Sequence, residues 1–377
     1  MGREKVLFTM SYPGILIPLS YSLYFHQYFI NNSNENNLYY NSLFKSFSVT
    51  SYIFIILFIL LYFFSNSIGG PVLYLFFSFM GYLVNLFNSS IIMIIIQKIF
   101  SIYLEKNIKI LLFYGIATLI SIIGHIRAEI IHFDKYEIKV RQWQNEENNI
   151  KVKIAHLSDL HLCPIYGRKL VEKIVNKLNN EKGISFVVLT GDIVDGDIFD
   201  NKINLSILEP FKKLKYKIYY VSGNHEEFTD KVRLFYLLER VGIIHLDNKF
   251  EILNQYKINL IGIDYDKNYK KIKNETIPKL CEISNENNYI NVVLCHIPFF
   301  KPKHLINYNI FLFLCGHTHG AQMIPTNIYI WSKNTVFNGL YKYLNKYFVY
   351  CVSGVGNSGP PLRTFTRANI DLITLTN

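Results

Sequence analysis

Residues that can bind metal or transfer protons recur in five short blocks of this chain. Each block directly follows an apolar run. The blocks are Ser158-Asp159-Leu160-His161, Gly191-Asp192-Ile193-Val194-Asp195, Gly223-Asn224-His225-Glu226, Cys295-His296 and Gly316-His317-Thr318-His319-Gly320. Transition metals accept carboxylate, imidazole and amide donors together. The pattern therefore predicts metal-assisted chemistry.

The donor types fit two metal ions. Asp159 and His161 lie two residues apart, so an extended strand end would point both side chains to one side. Mixed carboxylate and imidazole ligands suit Mn, Fe or Zn better than Ca, which prefers oxygen. Asp192 can bridge two ions about 3.5–4 Å apart. His225 has no evident place in either set of ligands, which leaves it free to donate a proton. The donors that complete the two sets are Asn224, His296, His317 and His319.

Strand-like and helical patterns alternate around these blocks. Strands are predicted at 151–156, 186–190, 217–222, 258–263, 291–295, 310–315, 347–353 and 369–375. Helical spacing occurs at 168–179, 205–215, 230–241 and 277–287. This alternation indicates an α/β architecture. Because ligands of open α/β sheets bind beyond the carboxyl ends of the strands, we expect the five blocks to meet in one shared site.

The first third of the chain has a different composition. The 377-residue chain is only 18% charged, whereas soluble domains carry about 25% charged residues. No Asp, Glu, Lys, Arg or His occurs from Ser46 to Gln97, a run longer than the roughly 20 residues of one membrane crossing. We predict four transmembrane helices, with three as the alternative, at 6–30, 48–64, 71–96 and 110–126. No small-residue cleavage site follows 6–30, which disfavours a signal peptide there.

These observations divide the chain into three parts. Residues 1–130 are predicted to form a membrane anchor, 131–152 a linker and lead-in strand, and 153–377 a catalytic domain. The five cysteines are scattered and odd in number, which excludes a disulfide framework.

The ordered blocks resemble the calcineurin-like metallophosphoesterase superfamily. The motifs D-x-H, G-D-x-x-D, G-N-H-E, a later His and G-H-x-H occur in that family's order, over roughly Lys153 to the C-terminus. The resemblance becomes more specific at two segments, Gly320-Ala321-Gln322 and Ser353 to Arg363. They resemble the branch of bacterial membrane-associated phosphodiesterases and the transmembrane protein with a metallophosphoesterase domain. That branch usually has a second glycine where this chain has Ala321.

The resemblance implies a fold and a set of roles. The fold would be a double β-sandwich flanked by helices, in the order α/β/β/α. Two divalent ions would be bound, Mn first, with Fe or Zn as alternatives. The first ion would be held by Asp159, His161, Asp192 and His319, and the second by Asp192, Asn224, His296 and His317. His225 would be the acid near the leaving-group oxygen, a role worth about 10²–10⁴-fold in rate.

Two further assignments concern residues beside these blocks. Asp195 is predicted to support a ligand rather than to bind metal. Gly354, Gly356 and Gly359 could present backbone N–H groups to a phosphate, with Arg363 as its cation. The alternative is a tight chain reversal with Arg363 on the surface.

Three classes of function follow. The first is a membrane-anchored hydrolase of phosphodiester or pyrophosphate bonds in a lipid-linked or nucleotide-linked substrate; the net charge of +11 suits an anionic partner. Relatives in this branch cleave UDP-2,3-diacylglucosamine in lipid A synthesis, which makes that substrate the first specific prediction. The second is a phosphoprotein phosphatase, but those families carry Arg-Gly where this chain has Asp195-Gly196-Asp197. The third is a nuclease or a non-catalytic metal-binding membrane scaffold; clustered basic and aromatic motifs are absent, so no nucleic-acid partner is expected.

The basic residues predict a multi-pass protein of the cell membrane with a cytoplasmic catalytic domain. With four spans, both ends of the anchor lie on the same side of the membrane. The basic residues on that side are Arg3, Lys5, Arg127, Lys135, Lys139 and Arg141. The opposite loops hold Lys45, Lys98, Lys106 and Lys109. The side richer in positive charge faces the cytoplasm. With three spans, the two ends fall on opposite sides.

Overall fold

The computed structural model describes residues 70–100, 105–144, 149–162, 167–195, 205–283, 289–298, 308–333, 336–343 and 345–377. The predicted spans 6–30 and 48–64, and the residues Cys163 and Asp197, lie outside these ranges.

The described chain begins with two long apolar helices, α1 (Gly70–Phe100) and α2 (Lys106–Glu129). They pack side by side in opposite directions: Tyr74 Oη lies 3.4 Å from His125 Nδ1, and Ser89 Oγ donates to the carbonyl of Phe113. Within them, Phe77–Gln97 and Asn107–Glu129 are long and apolar enough to cross a membrane. The helices predicted at 71–96 and 110–126 are therefore present.

Twelve strands, four further α-helices of at least seven residues and one three-residue helix (Tyr269–Lys271) follow in the described residues. The strands are β1 (His132–Lys139), β2 (Lys151–Leu157), β3 (Phe186–Thr190), β4 (Ile218–Val221), β5 (Ile243–His245), β6 (Lys249–Leu253), β7 (Ile258–Ile263), β8 (Ile290–Cys295), β9 (Ile310–Cys315), β10 (Gly339–Tyr343), β11 (Tyr347–Cys351) and β12 (Asn369–Thr376). The helices are α3 (Gly167–Asn180), α4 (Lys231–Arg240), α5 (Ile277–Ile283) and α6 (Thr326–Lys333).

The strands form two six-stranded sheets. The first has the order β1-β12-β2-β3-β4-β5 and the second the order β10-β11-β9-β8-β7-β6. Central neighbours pair in parallel, with Leu157 opposite Leu189 and Thr190 opposite Val221 in the first sheet. Parallel strands buried on both faces read as continuous apolar runs, which is the pattern of β3, β7, β8 and β9.

Three apolar clusters make this a four-layer fold. Between the sheets, side chains such as Ile154, Val188 and Leu312 form the central core. The outer face of the first sheet packs on α3 and α4 through residues such as Ile174 and Leu234. The outer face of the second sheet packs on α5 in a third cluster. The layers run α/β/β/α, and the predicted fold class is confirmed.

Two features differ from the sequence prediction. All eight predicted strands are present. The strands β5, β6 and β10 were not predicted, and β1 falls in the segment 131–152 that was predicted only as a linker and lead-in strand; these four are the edge strands. The helix predicted at 205–215 is instead two short 3₁₀ segments, Leu205–Ile207 and Glu209–Lys213. Pro210 at the start of the second segment lacks the N–H that an α-helix through this point would need.

Candidate metal centre

The predicted ligands lie in loops at the carboxyl ends of central strands. Asp159 and His161 follow β2, Asp192 follows β3, and Asn224 follows β4. His296 follows β8, and His317 and His319 follow β9. Parallel strands of both sheets end at this edge, so the five blocks meet as expected.

Most of these residues adopt left-handed backbone conformations. The strand β2 ends at Leu157, so Asp159 and His161 do not converge through strand alternation, as the sequence suggested. The residues with positive φ, between 44° and 73°, are Asp159, His161, Asp192, His317 and His319. Such angles are uncommon for residues with a Cβ and cost free energy unless the surroundings fix them. The fold therefore imposes these conformations on the site.

One group of donors gathers around Asp159. His161 Nε2 and His319 Nε2 are 2.9 Å apart, and their rings stack with centroids 4.8 Å apart. Asp159 Oδ1 lies 3.4 Å from His319 Nε2 and 4.0 Å from His161 Nε2. The N–H of His317 donates to both oxygens of Asp159 at 3.1 Å. This contact fixes the carboxylate toward the two rings.

A second group gathers around His296. Its Nε2 lies 3.1 Å from both Asp192 Oδ2 and Asn224 Oδ1. Its Nδ1 lies 2.7 Å from the carbonyl of Thr190, which can only accept, so Nδ1 carries the proton of this hydrogen bond. A backbone partner of this kind fixes the tautomer and leaves the other nitrogen for a metal. The ring of His317 lies 5.1 Å from that of His296.

Asp192 is shared by the two groups. Its Oδ2 lies 3.8 Å from His161 Nε2 in the first group and 3.1 Å from His296 Nε2 in the second. Its Oδ1 accepts the backbone N–H of His225 at 2.9 Å. A carboxylate held between two sets of ligands has the placement of a bridging ligand.

Burial and nearby charges shift the pKa values of His296, His317 and His319 in different directions, so their protonation at neutral pH differs. Burial, reinforced by the nearby charge of His296, lowers the pKa of His317 to about 3. Burial and the neighbouring His161 hold the pKa of His319 well below its ordinary value. Burial also opposes charge on His296, but the Asp192 carboxylate raises the pKa of His296 to about 9. A metal ion must therefore displace a proton from His296 and none from the other two.

These residues fit a pair of divalent cations. In the described residues, three groups of side chains each bring one possible ligand atom per residue to within 4.8 Å of the others. The groups are Asp159–His161–His319, His161–Asp192–His225 and Asp192–His296–His317. Asp159, His161, Asp192 and His296 are at most 2% exposed. Buried carboxylates whose oxygens converge with imidazole nitrogens favour a positive partner. When bound, such ions neutralise a phosphate and lower the pKa of an attacking water.

His225 stands beside the ligands at the rim. Its Nδ1 lies 2.8 Å from Asp195 Oδ1, and its ring lies 4.7 Å from that of His161. Burial opposes charge on the ring, but Asp192 and the hydrogen bond to Asp195 raise the pKa of His225 to about 10. At neutral pH it can therefore hold a proton on Nε2, which lies 3.9 Å from Asp192 Oδ2. Asp195 orients the ring rather than joining the ligands.

Glu226 has a part that sequence reasoning missed. Its fully buried carboxylate accepts the backbone N–H groups of Asp192 at 3.0 Å, Ile193 at 2.8 Å and Gly223 at 2.6 Å. It thereby ties the loop after β3 to the loop after β4. The available signal was the acid that ends the third block, although its partners are backbone atoms with no sequence pattern.

Close packing explains why the residue before His317 is a glycine, Gly316. A Cβ at this position would lie 1.9 Å from Ser158 Oγ and 2.5 Å from Asp159 Oδ2. A larger residue before His317 would displace the Asp159 carboxylate.

The contacts of Arg363 correct the prediction that it binds substrate. The side chain is fully buried, not on the surface. Its Nε donates to Asn357 Oδ1 at 3.0 Å, and its Nη atoms donate to the carbonyls of Ser353, Gly354 and Gly356. The guanidinium thus holds a loop of its own chain. The N–H of Gly356 donates to the carbonyl of Asp159 at 2.9 Å, which joins this loop to the loop after β2.

Comparison with known proteins agrees with this geometry. Residues 152–321 match the calcineurin-like phosphoesterase family. The chain is 31% identical over 60% of its length to an uncharacterized metallophosphoesterase of Helicobacter pylori, and 30% identical over 63% to a transmembrane protein with metallophosphoesterase domain of Danio rerio. The matched regions span 60% and 56% of those relatives. Among solved structures, an NAD nucleotidase of Haemophilus influenzae aligns with TM-score 0.39 at 16% identity, covering 55% of this chain and 46% of that one.

The segment 152–321, which contains all five blocks, is similar to the calcineurin-like phosphoesterases.

Proposed function

We propose that this protein is a membrane-anchored hydrolase that uses two divalent metal ions to cleave a phosphodiester or pyrophosphate bond. The observation that carries the proposal is Asp192, whose two oxygens contact both donor groups and the N–H of His225. The family of the domain implies metal-dependent phosphoester chemistry and agrees with these contacts.

The ligands divide between two ions. Asp159, His161, Asp192 and His319 would hold the first; Asp192, Asn224, His296 and His317 would hold the second. We propose Mn²⁺ as the ion at both positions, with Fe and Zn as the alternatives, because carboxylate, amide and imidazole donors suit all three.

His225 is the proposed acid. Asp195 holds its Nδ1, which directs Nε2 toward the two donor groups. A protonated Nε2 there can stabilise and then protonate the departing oxygen of the substrate. The half-buried position at the rim gives the leaving group a path to solvent.

The test is hydrolysis by the full-length protein after chelation and reloading with one metal at a time. Bis(p-nitrophenyl) phosphate tests the diester activity, and p-nitrophenyl phosphate tests the monoesterase activity of a phosphatase. We expect turnover of the diester with Mn²⁺ and a fall of about 10²–10⁴-fold in kcat for His225→Gln. Near-normal turnover by this variant would refute the acid role, and preference for the monoester would refute the diesterase.

His245→Gln is the matched control. His245 also pairs with an aspartate, since its Nε2 lies 2.8 Å from Asp247 Oδ2. It lies on the edge strand β5, outside the two donor groups, so its replacement should leave diester turnover within about two-fold.

The proposed substrate lies at the membrane surface. The apolar helices contact loops of the site directly: Asn88 Nδ2 donates to the carbonyl of Ile324 at 2.9 Å, and the N–H of Arg363 donates to the carbonyl of Gly124 at 2.9 Å. These contacts support a lipid-linked substrate. Its identity is to be tested by incubating Mn²⁺-loaded protein with lipid extracts and nucleotide-diphosphate lipids, UDP-2,3-diacylglucosamine included, and identifying products by mass spectrometry.

We also propose that the catalytic domain faces the cytoplasm, from the distribution of basic residues. Lys267, whose side chain is 69% exposed, offers a reporter position. In a Cys163→Ser background, a Lys267→Cys protein in intact cells should resist a membrane-impermeant maleimide until lysis. Labelling before lysis would place the domain outside.

A further inference from the structure

The helix α6 presents apolar side chains to the outside of the molecule. Trp331 is 72% exposed and Ile328 65%, and Tyr329 and the preceding Ile324 are also exposed. Phe365, exposed at 39%, stacks on Phe337 in the neighbouring segment. We call Ile324, Ile328, Tyr329, Trp331 and Phe365 the α6 surface.

The sequence around α6 carries few charges, and the one charged residue of the helix is Lys333 at its end. No Asp, Glu, Lys or Arg occurs from Gly320 to Ser332. A helix facing water normally has charged residues on its outer face. The helix α4 shows the contrast, because its exposed Val232 lies between Lys231 and Arg233.

The α6 surface is continuous with the apolar helix pair. The carbonyl of Ile324 accepts a hydrogen bond from Asn88 of α1, and Met323 packs with Val84 and Leu362 in one buried cluster. At the other end of the surface, Arg127 of α2 donates to the carbonyls of Thr364 and Phe365. A bilayer that surrounds α1 and α2 would meet this surface next.

The composition of the surface fits the membrane–water interface. Trp and Tyr concentrate at the level of the lipid headgroups because one part of each ring is apolar and another part forms hydrogen bonds. Removing exposed apolar side chains such as Ile328 from water is favourable. Isolated exposed apolar residues need no explanation, but a contiguous patch of this kind marks a contact.

We propose that the α6 surface lies in the headgroup region of the bilayer that holds α1 and α2. The proposal rests on the membrane anchoring proposed above. Thr326 Oγ1, at the start of α6, donates to the carbonyl of Ala321 at 3.1 Å, and Ala321 lies two residues after His319. The contact between the α6 surface and the headgroups therefore holds the metal centre next to the bilayer, within reach of phosphate groups carried by lipids.

The two tryptophans of the chain provide the test. Trp143 is fully buried, whereas Trp331 is in the α6 surface. Trp143→Phe leaves Trp331 as the single reporter, and Trp331→Phe leaves Trp143 as the matched control. The full-length variants are reconstituted in phosphatidylcholine vesicles containing 20% phosphatidylglycerol, with and without phosphatidylcholine brominated near the top of its acyl chains.

We expect brominated lipid to quench Trp331 fluorescence at least two-fold and to leave Trp143 almost unchanged. Quenching of Trp331 by aqueous iodide but not by brominated lipid would show a water-facing surface and overturn the proposal. Protection from both quenchers would show that protein covers the surface, and would overturn it equally.

A nitroxide measurement covers the case in which Trp143→Phe does not fold. Ile328→Cys and Val232→Cys, each in a Cys163→Ser background, carry the spin label at two exposed positions on different helices, α6 and α4. We expect the label at 328 to collide more with oxygen, which dissolves in lipid, and the label at 232 to collide more with an aqueous nickel chelate. Equal behaviour of the two labels would refute the membrane contact.

These outcomes separate the α6 surface from the hydrolase proposal. Protein that hydrolyses bis(p-nitrophenyl) phosphate but shows no lipid quenching refutes only the α6 surface. Protein that shows quenching but no turnover with any of the three metals refutes only the hydrolase.

Discussion

The metal centre and the contact between the helix pair and the catalytic domain are held by different forces. In the centre, buried polar side chains are fixed by backbone hydrogen bonds, such as those from His317 to Asp159. At the helix contact, the fully buried Leu362 packs between α1 and α2. Its side chain lies against Gly81 and Gly124, where a Cβ would approach it to 2.3 Å and 3.3 Å.

One segment belongs to both regions. At one end, the N–H of Gly356 donates to the carbonyl of Asp159; at the other, Leu362 fills the helix contact. Arg363, the residue after Leu362, holds the loop carbonyls of Ser353 and Gly354 with its guanidinium. The metal centre, a polar site that needs a fixed geometry, is therefore supported by the apolar packing of Leu362 between α1 and α2. That packing depends on the size of the side chains that form it.

The largest expected effect is that of Asp192→Asn. The amide keeps the size of the side chain but removes the charge shared by the two donor groups. We expect diester turnover to fall by at least about 10²–10³-fold, the range seen when a group that stabilises transition-state charge is lost. The measurement is kcat/KM with saturating Mn²⁺. A loss below ten-fold would contradict the shared role.

Glu226→Gln should destabilise the protein by about 2–4 kcal/mol, because a buried carboxylate that accepts three N–H groups loses charge and acceptor capacity. Glu227→Gln is the control: its carboxylate pairs with Lys231 at 2.8 Å and is partly exposed, so we expect a change of about 0–1 kcal/mol. Urea unfolding of the chelated proteins compares the two. Equal destabilisation would contradict the role of Glu226.

Gly81→Ala tests the apolar contact. The new Cβ would meet Leu362 Cδ2 at 2.3 Å and Pro360 Cβ at 3.2 Å, and such overpacking costs about 1–3 kcal/mol. Gly115→Ala on α2 is the control, since a Cβ there meets no atom within 4 Å. We expect a lower Tm and weaker Mn²⁺ binding for Gly81→Ala alone. Identical metal affinity in both variants would show that the helix contact does not support the site.

We expect Asp195→Asn to have the smallest effect on stability, and the size of that effect should depend on pH. The folded state raises the pKa of His225 from 6.5 to about 10, so the charged ring contributes stability that is fully present below pH 6.5 and lost as pH rises through about 10. In chelator, we expect the variant to lower the pKa of His225 in an NMR titration. Its destabilisation should be larger at pH 6 than at pH 10; the reverse order would contradict the Asp195–His225 pair.

Sequence patterns predicted the interior of the fold better than its borders. The predicted strands β3, β7 and β9 match the structure to the residue, because burial on both faces makes them continuous apolar runs. The edge strands β6 and β10 are only partly buried and contain charged residues. Their pairing depends on partners distant in sequence, so local pattern does not reveal them.

The candidate site followed the same rule. Its donors could be predicted because each follows a central strand. The left-handed backbone of Asp159 and His161, the backbone clamp of Glu226 and the burial of Arg363 could not, because each depends on contacts between distant segments.

The most direct test of the account is the number of metal ions bound by the full-length protein. After Mn²⁺ loading and removal of free metal, we expect two ions per chain by elemental analysis, with an electron paramagnetic resonance signal of two coupled Mn²⁺ ions. Asp192→Asn should lose the coupling and at least one ion. A single uncoupled ion in the unaltered protein, or an unchanged coupled pair in Asp192→Asn, would contradict a centre built around Asp192.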